Sequence, residues 1–440
     1  MLEKKFDKID KIFKSNVTKD FNYRKKKLLK LKENIIRNEQ KIFEALKKDL
    51  GKSKSETYMS EYKLVIDEIN FMKRNLKKFM KVKRVFPSKG QLFSKIRIIN
   101  EPLGKILIIS PWNYPFLLSM IPIIGAVASG NVFILKPSEF SKNTSLIVKD
   151  IIKSTFGEEY IVLGDKKVNE QLLKFDFDHI FFTGNSEVGK IIMKKASEKL
   201  IPVTLELGGK SPVIVDSNID IEKTAKRILF GKLLNRGQTC VSPDFIYCDQ
   251  KIVDQLVINL KRIYKKMIPN EAYSKSQAHI IDRKHLNDLI DKFDAKDDLF
   301  MPLDIKIVKK ESKLLESELF CPILPILTYE DKVDVIDYLY KKPAPLSLYI
   351  FSNDKKFIKY ILENTKSGGV CINDTIVHMI SSRAPFGGIG YSGMGNYHGY
   401  YSFKTFSQQK TIVKRSLLFD FNFRYHPFDQ KKYKKLRRWM

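Results

Sequence analysis

The hydrophobic and polar positions change their periodicity once along the chain. Up to about Met80 the apolar residues keep a near-helical spacing, and the lysines between them form the expected solvent face. From about Gly104 short apolar runs alternate with helical patterns. The runs predicted as strands are 105–110, 132–136, 160–163 and 179–183. This alternation is typical of a parallel, doubly wound α/β sheet.

The later part of the chain repeats this alternation. A buried strand is predicted at 203–207, where Gly208 and Gly209 end it, and helices are predicted at 190–200, 221–234 and 253–267. Before the first sheet, the turn at 87–90 leads into an alternating stretch, 94–100, that indicates an exposed strand. A chain of 440 residues is also too long for one core, so several structural units are expected.

Composition narrows the class of protein. Hydrophobic residues at 43% and aromatic residues at 12% exclude global disorder. The formal net charge of +30 suggests nucleic acid or an anionic membrane as partner, but acidic residues are interleaved with the lysines, and lysine far exceeds arginine. A solvated basic surface is therefore expected rather than a specific nucleic-acid site. The four cysteines form no C-x-x-C pair and histidine is scarce, so no metal site is expected.

The two ends of the chain bear on its location. The first residues lack the apolar stretch of a signal peptide, and no apolar run reaches the ~18 residues of a membrane span. A cytoplasmic protein is expected. The tail, 424–440, is basic and aromatic, and it could touch an anionic membrane surface; a mobile tail or one packed in a dimer is equally compatible with its composition.

One cysteine is a candidate nucleophile. Cys240 follows a helical run and a polar turn, 235–238. A lone cysteine at a loop edge is more often a buried structural residue. A nucleophilic role requires surroundings that stabilise the thiolate.

Two further side chains, Glu206 and Asn113, are candidates to act together with Cys240. Glu206 lies in the apolar strand 203–207, where a carboxyl group must be paired or neutral; desolvation raises its pKa toward that of a general base, although pairing with a lysine would be an ordinary explanation. Asn113 follows the strand 106–110, where its amide could donate to a ligand, although most such asparagines cap the backbone. Together with Cys240 they fit thiolate attack on a carbonyl, oxyanion stabilisation and water activation.

Six segments in order resemble the aldehyde dehydrogenase family. They are Pro111-Trp-Asn-Tyr-Pro115, Leu135-Lys-Pro-Ser-Glu139, Phe182-Thr-Gly-Asn-Ser-Glu-Val-Gly189, Leu205-Glu-Leu-Gly-Gly-Lys-Ser-Pro212, Gly237-Gln-Thr-Cys240 and Pro385-Phe-Gly-Gly-Ile-Gly-Tyr-Ser-Gly393. The stretches Cys240-Val-Ser-Pro-Asp244 and Gly393-Met-Gly-Asn-Tyr-His-Gly399 are similar to the class 3 branch, which acts on fatty and aromatic aldehydes. The resemblance runs from about Phe21 to about Phe406.

The resemblance implies an architecture. A Rossmann-type cofactor-binding domain would comprise 1–80 and 103–207, and an α/β catalytic domain would comprise 208–403. A small β arm for oligomerisation would comprise 81–102 and 404–423, followed by the basic tail 424–440. A homodimer is the expected assembly.

The resemblance also implies a cofactor site. Lys136 and Glu139 would hold the adenosine ribose, and Glu318 and Phe320 would grip the nicotinamide ribose. The other cofactor residues are Trp112, Gly184, Asn185, Val188 and Gly189. NAD is favoured over NADP, although both stay open. Cys321 stands where the family has glycine, and the stretch 295–308 looks shortened, which puts the backbone there in doubt.

The literal pattern Gly388-x-Gly390-x-x-Gly393 is not expected to be a dinucleotide fingerprint, because no strand–turn–helix follows it. In the family this stretch lies near the substrate entrance. His179 could pair with Cys240, but a structural histidine at a strand start is preferred.

The expected activity is NAD(P)-dependent oxidation of medium- or long-chain aliphatic or aromatic aldehydes to carboxylic acids. Cys240 would be the nucleophile, Glu206 the base and Asn113 the oxyanion donor. One alternative is a CoA-acylating reductase, in which CoA releases the acyl group. The other is an inactive basic scaffold that binds nucleic acid or membrane.

Overall fold

The computed structural model describes residues 2–439 and contains two mainly parallel sheets and a small antiparallel one. The helices are α1 Leu2–Lys14, α2 Phe21–Arg37, α3 Glu39–Leu50, α4 Lys54–Thr57, α5 Lys63–Phe79, α6 Leu117–Ser129, α7 Lys142–Thr155, α8 Lys166–Leu172, α9 Ser186–Ser197, α10 Ile221–Leu233, α11 Val253–Met267, α12 Glu271–Lys275, α13 Arg283–Phe293, α14 Lys332–Tyr340, α15 Lys355–Asn364, α16 Tyr400–Thr405 and α17 Gln430–Trp439. The strands are β1 Lys83–Val85, β2 Ser94–Pro102, β3 Lys105–Ile109, β4 Val132–Lys136, β5 His179–Thr183, β6 Val203–Glu206, β7 Pro212–Val215, β8 Phe245–Asp249, β9 Asp304–Ile307, β10 Ile323–Tyr329, β11 Ser347–Phe351, β12 Gly369–Ile372, β13 Gly393–Met394 and β14 Ser407–Arg415. The predicted α/β class is confirmed.

Helices α1 to α5 confirm the helical periodicity of the first 80 residues. Their apolar stripes are buried in one core with the first parallel sheet. Side-chain caps fix the helix starts: the Asp20 carboxylate accepts from Tyr23 N–H, and the Ser53 hydroxyl accepts from Glu56 N–H. Between α4 and α5 the helix widens into a π-helical turn, Tyr58–Tyr62, a feature that often marks functional sites.

The first sheet has the order β13-β6-β5-β3-β4, parallel except for β13. Four of its five predicted parallel strands, β3, β4, β5 and β6, are confirmed within a residue. The predicted strand 160–163 is wrong, because a 3₁₀ turn ends at Tyr160 and only a single bridge, Leu135 to Ile161, continues the sheet. Helix α9 begins at Ser186 rather than near 190, since the Asn185 side chain accepts from Val188 N–H and caps it there.

The second sheet is entirely parallel, in the order β12-β11-β7-β8-β10-β9. Its flanking helices α10 and α11 confirm the predicted runs 221–234 and 253–267. The third sheet is the antiparallel set β1-β2-β14, whose β2 confirms the predicted strand; of its residues only Lys95 and Arg97 are exposed. The boundaries assigned to the three domains stay a prediction.

The strand directions of the first sheet determine where the candidate catalytic side chains lie. Strand β3 ends at Ile109 before the turn that carries Asn113, and β6 ends at Glu206. Residue pairs Ile109–Phe182 and Thr183–Glu206 align these ends in neighbouring strands. The carboxyl ends of parallel strands are where open α/β sheets bind ligands.

Candidate active site

A cavity of about 550 Å³ lies at the carboxyl ends of β3, β5 and β6. Its wall brings together eight predicted site residues from five separate segments. They are Trp112, Asn113, Gly184, Asn185, Glu206, Cys240, Glu318 and Phe320. Lys136, Glu139, Val188 and Gly189 lie outside this wall. A second, mostly apolar cavity of about 20 Å³ also contacts Cys240 and Glu206, which line both.

The loop that carries Cys240 has an unusual backbone. Asn235 and Arg236 have positive φ angles of 49° and 52°, and Gly237 follows at 78°. An added Cβ at Gly237 would lie 2.6 Å from the Cys321 carbonyl oxygen, so glycine is required there. Positive φ at successive non-glycine residues stores strain that the surroundings must hold.

Arg236 and Gln238 supply that restraint. The buried Arg236 guanidinium donates to the carbonyls of Ser274, Ala278, Phe300 and Met301. The Gln238 amide donates to the carbonyls of Asn235 and His279, and its oxygen accepts from Ile281 N–H. The shortened stretch of chain is thus clamped to the Cys240 loop. The sequence suggested only a polar turn here, because each partner is distant along the chain.

Asn113 is held with its amide at the cavity. Its backbone carbonyl accepts from Lys52 Nζ at 2.9 Å and from Asn235 Nδ2 at 2.8 Å. Its own Nδ2 donates to the Gln238 carbonyl at 3.1 Å, which leaves a second amide hydrogen for a ligand. The turn around Asn113 and the Cys240 loop are therefore one hydrogen-bonded unit.

A buried ion pair supports this unit and was missed in the sequence. Lys52 Nζ lies 2.6 Å from Glu61 Oε1, and both side chains are fully buried. The other Glu61 oxygen accepts from the N–H groups of Phe116 and Leu117 at the start of α6. The π-helical turn carries Glu61 into this position. A lysine in a lysine-rich helical region gives no sequence signal that it will be buried.

Glu206 is a carboxyl group without a partner. It is buried at the end of β6, and neither oxygen has a hydrogen-bond partner within residues 2–439. Burial raises the pKa of Glu206 well above its ordinary value, which favours the neutral acid. Of the two possibilities, pairing or neutrality, the structure shows no pairing partner within residues 2–439.

The surroundings of Cys240 favour the thiol, whereas a nucleophilic cysteine was expected to have surroundings that stabilise the thiolate. Burial raises the pKa of its thiol, and the nearby carboxyl groups of Glu318 and Glu206 raise it further. Two backbone N–H groups, of Cys240 and Val241, oppose this shift. The resting state is therefore the thiol, and the expected thiolate-stabilising surroundings are not formed by the chain's own side chains.

Glu318 and Phe320 form another part of the wall. Burial raises the pKa of Glu318 to about 8, and Asp244 adds to the shift. Asp244 also accepts from Lys210 Nζ and from Leu319 N–H, and thereby anchors the segment. Phe320 has a positive φ of 52° and packs edge-on against Trp112, with ring centroids 5.7 Å apart. The backbone is thus unusual one residue before Cys321.

Cys321 itself packs as a small apolar side chain. It is buried in a cluster with Ile280, Phe293 and Leu319. The cysteine that stands in place of the family glycine is therefore accommodated in the apolar core behind Phe320.

The cofactor residues outside the cavity wall occupy two positions. Lys136, buried at the end of β4, lies 2.8 Å from the half-exposed Glu139 carboxylate. Gly189 lets α9 approach β6, since an added Cβ would lie 2.7 Å from Leu207. His285 of α13 was not foreseen: its ring meets Trp112 and Phe140 edge-on at 4.9 and 5.0 Å, and it lines the cavity.

His179 and the glycine pattern Gly388-x-Gly390-x-x-Gly393 were predicted to have no part in catalysis or dinucleotide binding. His179 is buried, and its Nε2 lies 2.9 Å from Thr204 Oγ1, while burial lowers its pKa to about 4. It lies outside both cavity walls and is structural. The stretch that ends at Gly393 leads into β13, which pairs with β6 opposite Glu206, and no helix opens there.

The comparisons with known proteins agree with this geometry. The model of the aldehyde dehydrogenase family matches residues 3–412. The chain belongs to this family. It is 39% identical to 4,4'-diaponeurosporen-aldehyde dehydrogenase of Staphylococcus aureus (strain NCTC 8325 / PS 47), over 94% of each chain. It is 37% identical to aldehyde dehydrogenase family 3 member A2 of Macaca fascicularis, over 94% of this chain and 89% of the relative.

Solved structures of aldehyde dehydrogenases have the same fold. The substrate-bound state of Staphylococcus aureus AldH superposes with a TM-score of 0.96 at 37% identity, over 100% of this chain and 99% of the other. The protein is thus an aldehyde dehydrogenase, an oxidoreductase that acts on aldehydes, and the predicted family, class 3 likeness and fold are confirmed.

Solved neighbours also contain both nicotinamide cofactors. A betaine aldehyde dehydrogenase mutant from Staphylococcus aureus is a complex with NAD+, at 24% identity and a TM-score of 0.84 over 94% of this chain and 88% of the other. Glyceraldehyde-3-phosphate dehydrogenase GapN from Methanocaldococcus jannaschii is a complex with NADP, at 24% identity and a TM-score of 0.83 over 94% of each chain. Enzymes of this fold therefore bind NAD or NADP.

No group of three or more His, Cys, Asp or Glu side chains within residues 2–439 is placed to hold a metal ion. Over the same residues, no helix combines the length and the apolar character that a membrane span requires.

Proposed function

We propose that this aldehyde dehydrogenase oxidises medium- or long-chain aliphatic or aromatic aldehydes to carboxylic acids, with Cys240 as nucleophile and NAD as preferred oxidant. One observation supports this most directly. Cys240 and Glu206 line both the larger cavity at the sheet edge and the small apolar cavity behind it. The two cavities therefore meet at the sulfur that would attack the aldehyde.

The residues present fit a nicotinamide dinucleotide. Helix α9 starts at the larger cavity, and the N–H groups of a helix start favour phosphate. A buried Lys136 beside the Glu139 carboxylate is a donor–acceptor pair that suits ribose hydroxyls. Glu318 and Phe320 would hold the ribose next to the nicotinamide, which accepts hydride when the cofactor is bound. The Glu139 carboxylate would repel a 2′-phosphate, and this supports NAD over NADP.

In the first half of the reaction Cys240 attacks the aldehyde carbon. Because the resting thiol is neutral, its proton must pass to solvent water as the carbon–sulfur bond forms. The second amide hydrogen of Asn113 and the Cys240 backbone N–H stabilise the oxygen that becomes negative. Loss of hydride from this adduct leaves a thioester on Cys240.

In the second half Glu206 releases the product. As a carboxyl group without protein hydrogen bonds, it is free to take a proton from water once it is ionised. The hydroxide attacks the thioester, the carbon–sulfur bond breaks and the carboxylic acid leaves. The Cys240 sulfur then takes up the proton that Glu206 accepted from water, which regenerates the thiol.

The small cavity supports an apolar substrate. Its wall beyond Cys240 is made largely of aliphatic and aromatic side chains: Leu117, Leu118, Leu207, Leu346, Met379, Phe386 and Tyr397. Each methylene of an alkyl chain that becomes buried against this wall would stabilise binding by about 0.8 kcal/mol. Short polar aldehydes would lack this contribution.

We infer a cytoplasmic homodimer in which the antiparallel sheet contributes to the interface. Four cysteines without disulfide bonds support a reducing compartment. The exposed strand β14 at the edge of its sheet supports pairing between protomers. Sedimentation as a monomer or tetramer would contradict the dimer.

The activity test is NADH absorbance with NAD and then NADP, against hexanal, decanal and benzaldehyde, for wild type and Cys240→Ala. We expect turnover with decanal and NAD, and none in Cys240→Ala, which should still bind NAD. Normal turnover of Cys240→Ala would overturn the mechanism, and turnover of short polar aldehydes alone would overturn the substrate class. Product formation only with added CoA would identify the acylating reductase instead.

A further inference from the structure

A segment outside both cavity walls supplies charged side chains to the region behind the active site. The segment 52–61 comprises the connection before α4, α4 itself and most of the π-helical turn. The side chains of Lys52 and Glu61 are fully buried, and Glu56 is partly buried. No residue of this segment lines the larger or the small cavity. A catalytic effect of these charges would therefore have to act through other residues.

Lys52 contacts two consecutive residues of the turn that carries the oxyanion donor. Its Nζ lies 2.9 Å from the Asn113 carbonyl oxygen and 2.6 Å from Glu61 Oε1. Its third neighbour is the Tyr114 ring, whose centroid is 3.8 Å away, a close cation–π contact. An ammonium group has three N–H donors, and these three contacts match them in number. The buried cation is therefore fixed against residues 113 and 114.

Tyr114 connects the same cation to the nucleophile. Its hydroxyl lies 2.6 Å from Thr239 Oγ1, and Thr239 directly precedes Cys240. Tyr114 and Thr239 are both buried, so little water competes for this bond. Lys52 therefore lies between two chains of contacts, of which one leads to the Asn113 amide and the other to the Cys240 loop.

Glu56 adds a third connection from the same segment. Its Oε1 accepts from Asn235 N–H at 2.6 Å. Asn235 is the first positive-φ residue of the Cys240 loop, and its Nδ2 donates to the Asn113 carbonyl that Lys52 also contacts. One short segment therefore holds the oxyanion donor and the nucleophile loop in a fixed relation.

We infer that Lys52 is a positioning residue that fixes the Asn113 amide relative to the Cys240 sulfur, an inference that rests on the catalytic roles proposed above for those two residues. Without Lys52 the Asn113 carbonyl keeps only a neutral donor, the Asn235 amide, and the turn is held less firmly. A displacement of about 1 Å can lower a catalytic rate about 10²-fold. The loss of Lys52 should therefore slow the step that needs the oxyanion donor.

Lys52 is placed to orient the oxyanion donor rather than to activate the thiol. The main charged contributions to the raised pKa of Cys240 come from Glu318 and Glu206. The charge of Lys52 is balanced by Glu61 at 2.6 Å, so the pair has little net charge to act on the sulfur. The reactivity of Cys240 toward a small alkylating reagent should therefore not depend on Lys52.

The decisive variant removes the ion pair as a unit. Lys52→Met alone leaves Glu61 buried and charged. Lys52→Met/Glu61→Gln leaves no unpaired charge and keeps an oxygen acceptor for the N–H groups at the start of α6. The measurement is single-turnover formation of NADH from decanal with the enzyme in excess, which keeps slow rates accessible. The double variant should form NADH about 10- to 100-fold more slowly than wild type, with unchanged affinity for NAD. A wild-type rate would overturn the inference.

A double-mutant cycle shows whether the ion pair acts through Asn113. Asn113→Ala alone should slow NADH formation by about 10²–10³-fold. Adding Lys52→Met/Glu61→Gln to it should lower the rate by less than about twofold more, because the amide that the pair positions is already absent. An equal loss in both backgrounds would overturn the inference and leave the proposed activity standing. A wild-type rate for Asn113→Ala would overturn the proposed oxyanion donor as well.

Two controls separate positioning from a general loss of structure. Lys105→Met/Asp10→Asn removes a partly buried ion pair, with a distance of 3.2 Å, at the other end of β3, and should form NADH as fast as wild type. Alkylation of Cys240 by iodoacetamide should keep its wild-type rate and pH dependence in Lys52→Met/Glu61→Gln. A matching loss of rate in the Lys105 variant would show that loss of an ion pair elsewhere has the same effect, and altered alkylation would show that Lys52 acts on the thiol. Either result would overturn the inference.

Discussion

Glu318 should make the stability of the enzyme depend on pH in a defined direction. Burial, with a contribution from Asp244, raises its pKa from 4.5 to about 8. The folded state therefore keeps this proton at pH values where the unfolded chain has released it. Its contribution to stability is complete below about pH 4.5 and is lost as the pH rises toward 8. Glu318→Gln removes the titrating group while keeping the shape of the side chain.

The size of the effect follows from the shift. One pH unit between the two pKa values is worth about 1.4 kcal/mol, so the free energy of unfolding of wild type should fall by about 3 kcal/mol relative to Glu318→Gln between pH 5 and pH 8. The variant should thus be the more stable protein at pH 8, and its advantage should shrink as the pH falls.

The assay is urea denaturation of wild type and Glu318→Gln at pH 5, 6.5 and 8, followed by intrinsic fluorescence. The control is Glu316→Gln, an exposed glutamate two residues away, which should leave the pH dependence unchanged. A constant difference between wild type and Glu318→Gln at all three pH values would refute the reasoning, because it would show that Glu318 is ionised in the folded state.

Three further predictions concern the general base Glu206, the buried Lys52–Glu61 ion pair and Gly237 in the Cys240 loop. Glu206→Gln should keep the first-turnover burst of NADH but slow the steady state by about 10²–10⁴-fold, and an unchanged steady state would remove Glu206 as base. Lys52→Met should lower the free energy of unfolding by about 3–5 kcal/mol, because it leaves Glu61 charged and buried. The double variant Lys52→Met/Glu61→Gln should recover part of this loss. If chemical denaturation shows no such recovery, the ion-pair account is contradicted. Gly237→Ala should lower the free energy of unfolding by about 3 kcal/mol or more, since the positive φ and the 2.6 Å contact of the added Cβ act together. Gly390→Ala, at φ 64° with open space around the added Cβ, should lower it by only about 1 kcal/mol. Equal melting temperatures of the two variants would contradict this.

The sequence could predict those features that depend on local pattern. Strands β3, β4 and β5 are short apolar runs, and helices α10 and α11 keep helical spacing, so their limits emerge within a residue or so. Asn113 and Glu206 could be placed at the same sheet edge because each lies at the end of a recognisable strand. Their roles in catalysis remain predictions, and Glu206→Gln tests that of Glu206.

Features that depend on distant partners could not be predicted. Lys52 looks like a surface lysine until the fold brings Glu61 and the Asn113 carbonyl to it. Arg236 looks like part of a turn until its guanidinium finds four carbonyls contributed by 274–301. The resting protonation of Cys240 depends on carboxyl groups from two other segments.

The two-residue strand β13 has a consequence for how this chain can be divided. It comes from the last part of the sequence, yet Gly393 pairs with Glu206, and Leu207 N–H donates to the Ser392 carbonyl. A fragment that ends soon after Leu207 would leave β6 as an open edge, and such edges template aggregation. The two halves of the molecule should therefore fail to behave as independent modules when expressed apart, and co-expression of both pieces should restore a soluble complex.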